Sequence, residues 1–177
     1  MLRLKKGFIT QNNGDEKPQR PKVGELTKLL NLQIGESLKF NLLTGHPEFN
    51  GNQLDNSYVN NFYIPLSEWG YEIAKTAGRD ALLFAAQKNS YHPVVNDLNR
   101  IEKDESIQPI DLGKAATDYL GTNDRLYDAM FAIWLIALVA RAFDAGCKFD
   151  NCLVLKGAEG LRKSPFLKLW QVMMIGL

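Results

Sequence analysis

Two glycines, a lysine and a serine near the carboxyl end of the sequence are spaced as in a loop that binds phosphate. Residues 157–164 read GAEGLRKS, in which Gly157 and Gly160 precede Lys163 and Ser164. Such a loop uses glycines so that backbone N–H groups can approach the anion, and it places a lysine and a hydroxyl residue at the start of a helix. Lys163 would reach the terminal phosphates of a nucleotide, and Ser164 would hold magnesium only when that nucleotide is bound.

The residue before the lysine departs from the usual phosphate-loop pattern. The full pattern is GxxxxGKS, and this chain has Arg162 in place of its last glycine. We expect the arginine side chain to crowd the phosphates and weaken nucleotide binding, unless it points outward. The alternative interpretation is that a glycine-rich turn followed by basic residues joins a strand to a helix by chance.

Other residue types that support catalysis or metal binding do not form a recognisable site in the sequence. His46 is predicted to lie in a solvated turn, and His92 to be a capping or packed histidine beside Pro93. Cys147 and Cys152 show no CxxC spacing, which argues against zinc and favours a reduced, cytoplasmic setting. No catalytic triad or carboxylate pair can be defended, so no catalytic residue is assigned.

The phosphate loop needs a buried strand before it and a helix after it. The apolar run Leu153–Leu155 is predicted to be that strand, and the helix is predicted to open at Lys163. A longer helix precedes them, capped by Thr122 or Asn123 and closed by Gly146. Its uncharged run, residues 129–140, is shorter than the roughly 20 residues of a membrane span. We therefore predict a buried core helix and no contact with a membrane.

The whole sequence predicts a mainly α chain of class α+β, in three parts. Residues 1–22 are rich in lysine and arginine and contain two prolines, so they are predicted to be a flexible basic tail. Residues 23–147 are predicted to form a helical domain with one small β-hairpin near residues 37–54. Residues 148–177 are predicted to supply the first strand, phosphate loop and helix of a truncated P-loop ATPase domain.

Three stretches together resemble the virulence-associated protein E family of phage and mobile-element replication proteins. They are SLKFNLLTGHPEFNG, NSYHPVVNDLNRI, and the stretch LYDAMFAIWLIALVARAFDAGCKFDNCLVLKGAEGLRKS that ends in the phosphate loop. The last one resembles the family's W-L-I-x-x-V-A-R helix, its G-C-K-F-D segment and its Walker A loop. The resemblance covers about Leu26 to Lys168.

The resemblance implies a helicase-like DNA-replication ATPase that uses ATP and magnesium. Carried over by position, Gly157, Gly160, Lys163 and Ser164 correspond to the nucleotide-binding loop. Glu159, Arg162 and Pro165 stand where the family usually has Gln, Gly, and Thr or Ser. The groups that complete the ATPase would follow the last residue of this chain, so we expect no ATP hydrolysis by the chain alone. The resemblance also implies replication proteins or self-association as partners in full-length relatives.

Two alternatives to an inactive ATPase fragment remain open. The first is a non-enzymatic helical interaction module that binds DNA, without sequence specificity, or a replication partner. The second is a non-functional remnant of a frameshifted gene. Residues 169–177 read LWQVMMIGL, and codons for them read one base earlier permit Ala-Leu-Ala-Gly-Asp-Asp-Asp-Trp-Phe, which is close to the continuation that the family leads us to expect. This hypothesis predicts an exposed, apolar, aggregation-prone tail.

Overall fold

Helices form most of the structure, a computed structural model that describes residues 8–10 and 16–175. It divides into two compact units, Met1–His92 and Pro93–Leu177. The helices of the first unit are α1 (Val23–Ile34), α2 (Asn56–Asn60), α3 (Tyr63–Glu68) and α4 (Lys75–Lys88). Those of the second are α5 (Pro93–Glu102), α6 (Ala115–Leu120), α7 (Arg125–Phe143) and α8 (Lys163–Ile175), with a short 3-10 turn at Leu112–Lys114.

The predicted β-hairpin is present and belongs to a small mixed sheet in the first unit. Its strands are β3 (Leu38–Asn41), β4 (His46–Phe49), β5 (Asn52–Gln53) and β6 (Ser90–Tyr91), in the order β5-β4-β3-β6. β3 pairs antiparallel with β4 and parallel with β6. Asn50 and Gly51 both have positive φ, 51° and 75°, as the tight turn between β4 and β5 requires.

The core of the first unit lies between α1, α4 and the sheet. Leu26, Leu30 and Ile34 recur at every fourth position of α1, so they form one buried stripe. α4 faces them with small and medium side chains that allow close approach, namely Ala81, Leu82, Ala85 and Ala86. Asp55 caps α2, since its carboxylate accepts a hydrogen bond of 2.6 Å from the backbone N–H of Tyr58.

The amino-terminal segment differs from the flexible tail that the sequence predicts. β1 (Phe8–Thr10) and β2 (Glu16–Pro18) pair antiparallel. Gln19 then exchanges backbone hydrogen bonds of 2.8 Å with Gly70 and Glu72. The Arg20 guanidinium pairs with the Glu72 carboxylate at 2.9 Å. Proline and polar composition indicated disorder, but β2 pairs with β1, and Gln19 and Arg20 find distant partners at Gly70 and Glu72. Residues 1–7 and 11–15, which carry part of the basic charge, lie outside the described residues.

The second unit is built on α7, which packs against α6 and α8. Its main cluster joins Ala115, Ala116, Phe131 and Leu135, with Leu153 and Phe166 packed against it. α7 begins later than predicted, because Asp124 and not Thr122 or Asn123 accepts the capping hydrogen bond, from the Leu126 N–H at 2.8 Å. It ends at Phe143, before the predicted Gly146.

The predicted strand Leu153–Leu155 is not formed. Residues 93–175 contain no β-strand, and a strand is stabilised by hydrogen bonds to a neighbouring strand. Without such a neighbour the residues of the apolar run have different environments. Leu153 packs against the α7 cluster, whereas Val154 is 80% exposed. The predicted boundary at residue 148 also does not divide the units, because residues 148–175 belong with α5, α6 and α7. The described residues do not show a truncated P-loop domain, so this domain stays a prediction.

Candidate phosphate-binding loop

The lysine of the predicted phosphate loop closes that loop by hydrogen bonds to its backbone. The Lys163 Nζ donates to the carbonyl oxygens of Gly157 at 2.9 Å and Ala158 at 2.6 Å. Lys163 is also the first residue of α8, so the chain from 157 to 162 curls around the ammonium group at the start of this helix. Two of the four predicted site residues, Gly157 and Lys163, are thus brought into direct contact.

Two residues of the loop have left-handed backbone conformations. Gly160 has a φ of 82° and Arg162 a φ of 53°. Glycine adopts positive φ without steric cost, whereas an arginine there is strained. The phosphate-loop pattern has glycine at this position, and glycine tolerates the left-handed backbone that Arg162 adopts. Left-handed residues in turns also direct successive N–H groups into concavities that suit anions.

The other two predicted site residues, Gly160 and Ser164, are exposed. Ser164 is exposed in the first turn of α8, next to Lys163. A Cβ at Gly157 would lie 3.0 Å from the Leu161 Cδ1, the end of an exposed side chain that can shift to admit it. Pro165 occupies the first turn, where the absence of its N–H costs no helical hydrogen bond. The first helical hydrogen bond runs from the Phe166 N–H to the Arg162 carbonyl at 3.0 Å.

Both ends of the loop are anchored to the same face of α7. Leu153 precedes the loop and Phe166 follows it, and both pack on the cluster around Phe131. The Phe131 ring stacks on Trp134 with centroids 5.8 Å apart and lies 6.4 Å from the Phe166 ring. Upstream, the Arg141 guanidinium donates to the Phe149 carbonyl. The sequence predicts that a strand positions this loop, but in the structure the α7 helix positions it.

Asp128 is a buried carboxylate on α7 that sequence reasoning missed. It accepts hydrogen bonds from the Thr117 N–H at 2.7 Å and the Thr117 Oγ1 at 2.9 Å, and its side chain is 4% exposed. The backbone hydrogen bond from Thr117 is the main reason that the pKa of Asp128 lies below its usual value. This contact joins α6 to α7, and the sequence signal for it was the one acidic residue of a mainly apolar helix.

A second buried network in the first unit was also missed. The Glu48 carboxylate accepts from the Asn41 amide at 2.8 Å and from the Tyr91 hydroxyl at 2.5 Å. The hydrogen bond to Glu48, followed by burial, raises the pKa of Tyr91 to about 12. The network joins β4, β3 and β6, and it is satisfied internally, so we interpret it as structural. No motif spacing links these three residues.

α7 was predicted to be a buried core helix, and this is correct for one face only. Its opposite side exposes a row of large apolar side chains: Leu126, Tyr127, Met130, Ile133, Ile136, Val139 and Phe143. Among the described residues α7 is the single helix long and apolar enough to cross a membrane by length and composition. Core helices of soluble proteins meet the same criterion, so this is weak evidence for a span.

The other candidates add no metal site. Within residues 8–10 and 16–175, no group of three or more His, Cys, Asp or Glu side chains could hold a metal ion. His46 lies in β4 rather than in a turn, and it is half-buried. Cys147 and Cys152 are both free.

Comparison with known proteins agrees with the sequence resemblance over part of the chain. Residues 98–173 match the family model of the virulence-associated protein E-like domain. No curated protein gave a significant match. The matched segment includes α7, the loop and most of α8, and it runs past Lys168, where the frameshift hypothesis ends the family-like sequence. The hairpin region of the first unit lies outside it. The match supports a relationship of residues 98–173 to the virulence-associated protein E family.

Proposed function

We propose that residues 157–164 bind the phosphates of a magnesium nucleotide, as part of a helicase-like ATPase involved in DNA replication. The observation that carries the proposal is the contact of the Lys163 ammonium with the Gly157 and Ala158 carbonyls. It gathers the loop backbone around a positive charge at the N-terminal end of α8, where the helix dipole also favours an anion.

The residues present fit a phosphate group. Lys163 supplies the charge, Gly157 and Gly160 allow the backbone to approach, and the Ser164 hydroxyl is accessible to a metal ion. Bound magnesium would neutralise charge on the phosphate oxygens. The chain's own role is to hold and orient the nucleotide: the Lys163 ammonium exchanges loop carbonyls for phosphate oxygens while Leu153 and Phe166 keep the loop ends fixed on α7.

We expect residues 157–164 to bind the nucleotide and not to hydrolyse it by themselves. The resemblance places the acidic residues, the sensor and the arginine finger of the ATPase beyond the phosphate loop. Arg162 is expected to weaken binding further, because its side chain replaces the hydrogen of a glycine beside the phosphates. This function implies a cytoplasmic protein of phage or mobile-element replication.

The test is titration of a fluorescent ATP analogue into the full chain, with magnesium and with EDTA. Lys163→Ala should weaken binding by about tenfold or more, as loss of a charged hydrogen bond implies. Lys168→Ala, which removes an exposed lysine from the same helix, is the matched control. Equal affinities of the two variants would contradict the proposal. ATP turnover that survives purification and disappears in Lys163→Ala would contradict only the prediction of inactivity.

A helical interaction module is the second candidate function, favoured by the exposed apolar face of α7. Leu126 is 60% exposed and Met130 57%, and large exposed apolar patches mark protein–protein or membrane contacts. This favours a replication protein or a second copy as the partner. A DNA-binding version predicts affinity that is independent of sequence and falls steeply with salt, and a salt-insensitive, sequence-specific complex would exclude it.

A further inference from the structure

A groove on the first unit lies between α1 and α4, and its lining combines apolar with polar and charged side chains. It has a volume of about 590 Å³ and is lined by residues of both helices, among them Val23, Leu83 and Phe84. Phe84 is 54% exposed and Val23 42% exposed. The Thr27 hydroxyl in the same groove donates to the Val23 carbonyl at 2.9 Å, so this polar group is already satisfied. Val23, Leu83 and Phe84 therefore offer contact to apolar side chains of a ligand.

The rim of the groove carries a surplus of positive charge. Lys28 and Lys88 line it, together with a single carboxylate, Asp80. Asp80 pairs with the Arg79 guanidinium at 3.2 Å within its own helix. The Lys88 ammonium lies 5.3 Å from the centre of the Phe84 ring. One basic group therefore lies beside Phe84, which is more exposed than Val23 in the same groove. A ligand that fits both features has an apolar stripe and acidic flanks.

We propose that this groove binds an amphipathic helix of a partner protein, with its apolar face on Phe84 and Leu83 and acidic residues against Lys28 and Lys88. Grooves between two packed helices bind such segments through apolar residues at i, i+3 or i+4, and i+7. Single-stranded nucleic acid fits less well, because bases stack on open aromatic faces. Here Lys88 lies over the Phe84 ring, and the aliphatic Val23 and Leu83 provide no stacking surface. The proposal is independent of the phosphate loop.

The experiment screens the full chain against a displayed library of amphipathic peptides of about 16 residues, in which the apolar stripe is constant and the flanking positions are random. Selected peptides should be enriched in Asp and Glu at the flanks. They should bind Phe84→Ser about tenfold more weakly, as expected for loss of a central apolar contact. Circular dichroism checks that Phe84→Ser folds, which its exposure favours.

Charge reversal provides the decisive comparison. The double variant Lys28→Glu, Lys88→Glu should lose the acidic peptides and select basic ones, whereas Lys114→Glu, an exposed site outside the groove, should behave as the wild type. Selection of peptides that ignore Phe84, or that show no acidic bias, would overturn the proposal. So would a thymidine oligonucleotide that binds instead and depends on Lys28 and Lys88, since this result would assign the groove to nucleic acid.

Discussion

Removing the Tyr91 hydroxyl should destabilise the first unit by an amount that its contacts define. Tyr91→Phe deletes the 2.5 Å hydrogen bond to Glu48, whose side chain is only 8% exposed. Hydrogen bonds to charged groups contribute about 1.5–3 kcal/mol. Because Tyr91 is itself partly exposed, solvent screens part of this interaction, and we expect a loss near the lower end, about 1.5 kcal/mol.

The assay is urea unfolding of the full chain at pH 8, repeated in steps to pH 11.5. Hydrogen bonding to Glu48 raises the pKa of Tyr91 to about 12, above the value near 10 of an unfolded tyrosine. The folded state therefore favours the protonated phenol. The stability that it contributes is complete below about pH 10 and is lost as the pH rises toward 12, so the difference between wild type and Tyr91→Phe should shrink over this window.

Tyr63→Phe is the control, because Tyr63 contacts the Lys75 ammonium through its ring, 5.9 Å from the centroid. It should cost less than about 0.5 kcal/mol. The reasoning is refuted if Tyr91→Phe is no more costly than Tyr63→Phe, or if the difference between Tyr91→Phe and wild type is the same at pH 8 and pH 11.5.

Two further substitutions test the second unit. Arg162→Gly should relieve about 1–2 kcal/mol of left-handed strain at a cost of about 0.5–1 kcal/mol in chain entropy. This variant should therefore be slightly more stable in urea unfolding and should bind the ATP analogue more tightly. Arg162→Ala retains the strain, so an Arg162→Ala variant more stable than wild type would contradict this account. Asp128→Asn should lower the melting temperature at pH 7, because hydrogen bonds from Thr117 favour the ionised carboxylate and lower its pKa. That stability is present above the ordinary pKa of about 4 and is lost as the pH falls, so wild type and Asp128→Asn should converge in acid, and a pH-independent gap would argue against the ionised form.

Features set by neighbours in the chain could be predicted from the sequence. Helical periodicity places Leu26, Leu29 and Leu30 on one face of α1, and the Asp55 cap follows from the affinity of a carboxylate for unpaired N–H groups. The hairpin near residues 37–54 is equally local, although its first turn lies at residues 42–45, and His46 and Pro47 belong to β4. The loop composition, with Lys163 at the start of a helix, also indicated where a phosphate could bind, and residues 98–173 match the family that the motifs resemble.

Features that need a distant partner were decided only by the tertiary structure. Leu153–Leu155 has the composition of a strand, but the described second unit provides no strand to pair with it, and Leu153 packs on α7 instead. Glu48 and Tyr91 meet although 43 positions separate them, because their strands, β4 and β6, lie on either side of β3. Gln19 lies in a segment of disordered composition but finds backbone partners at Gly70 and Glu72. Composition constrains what a segment can bury or bond, whereas the partner that comes within reach depends on the path of the whole chain.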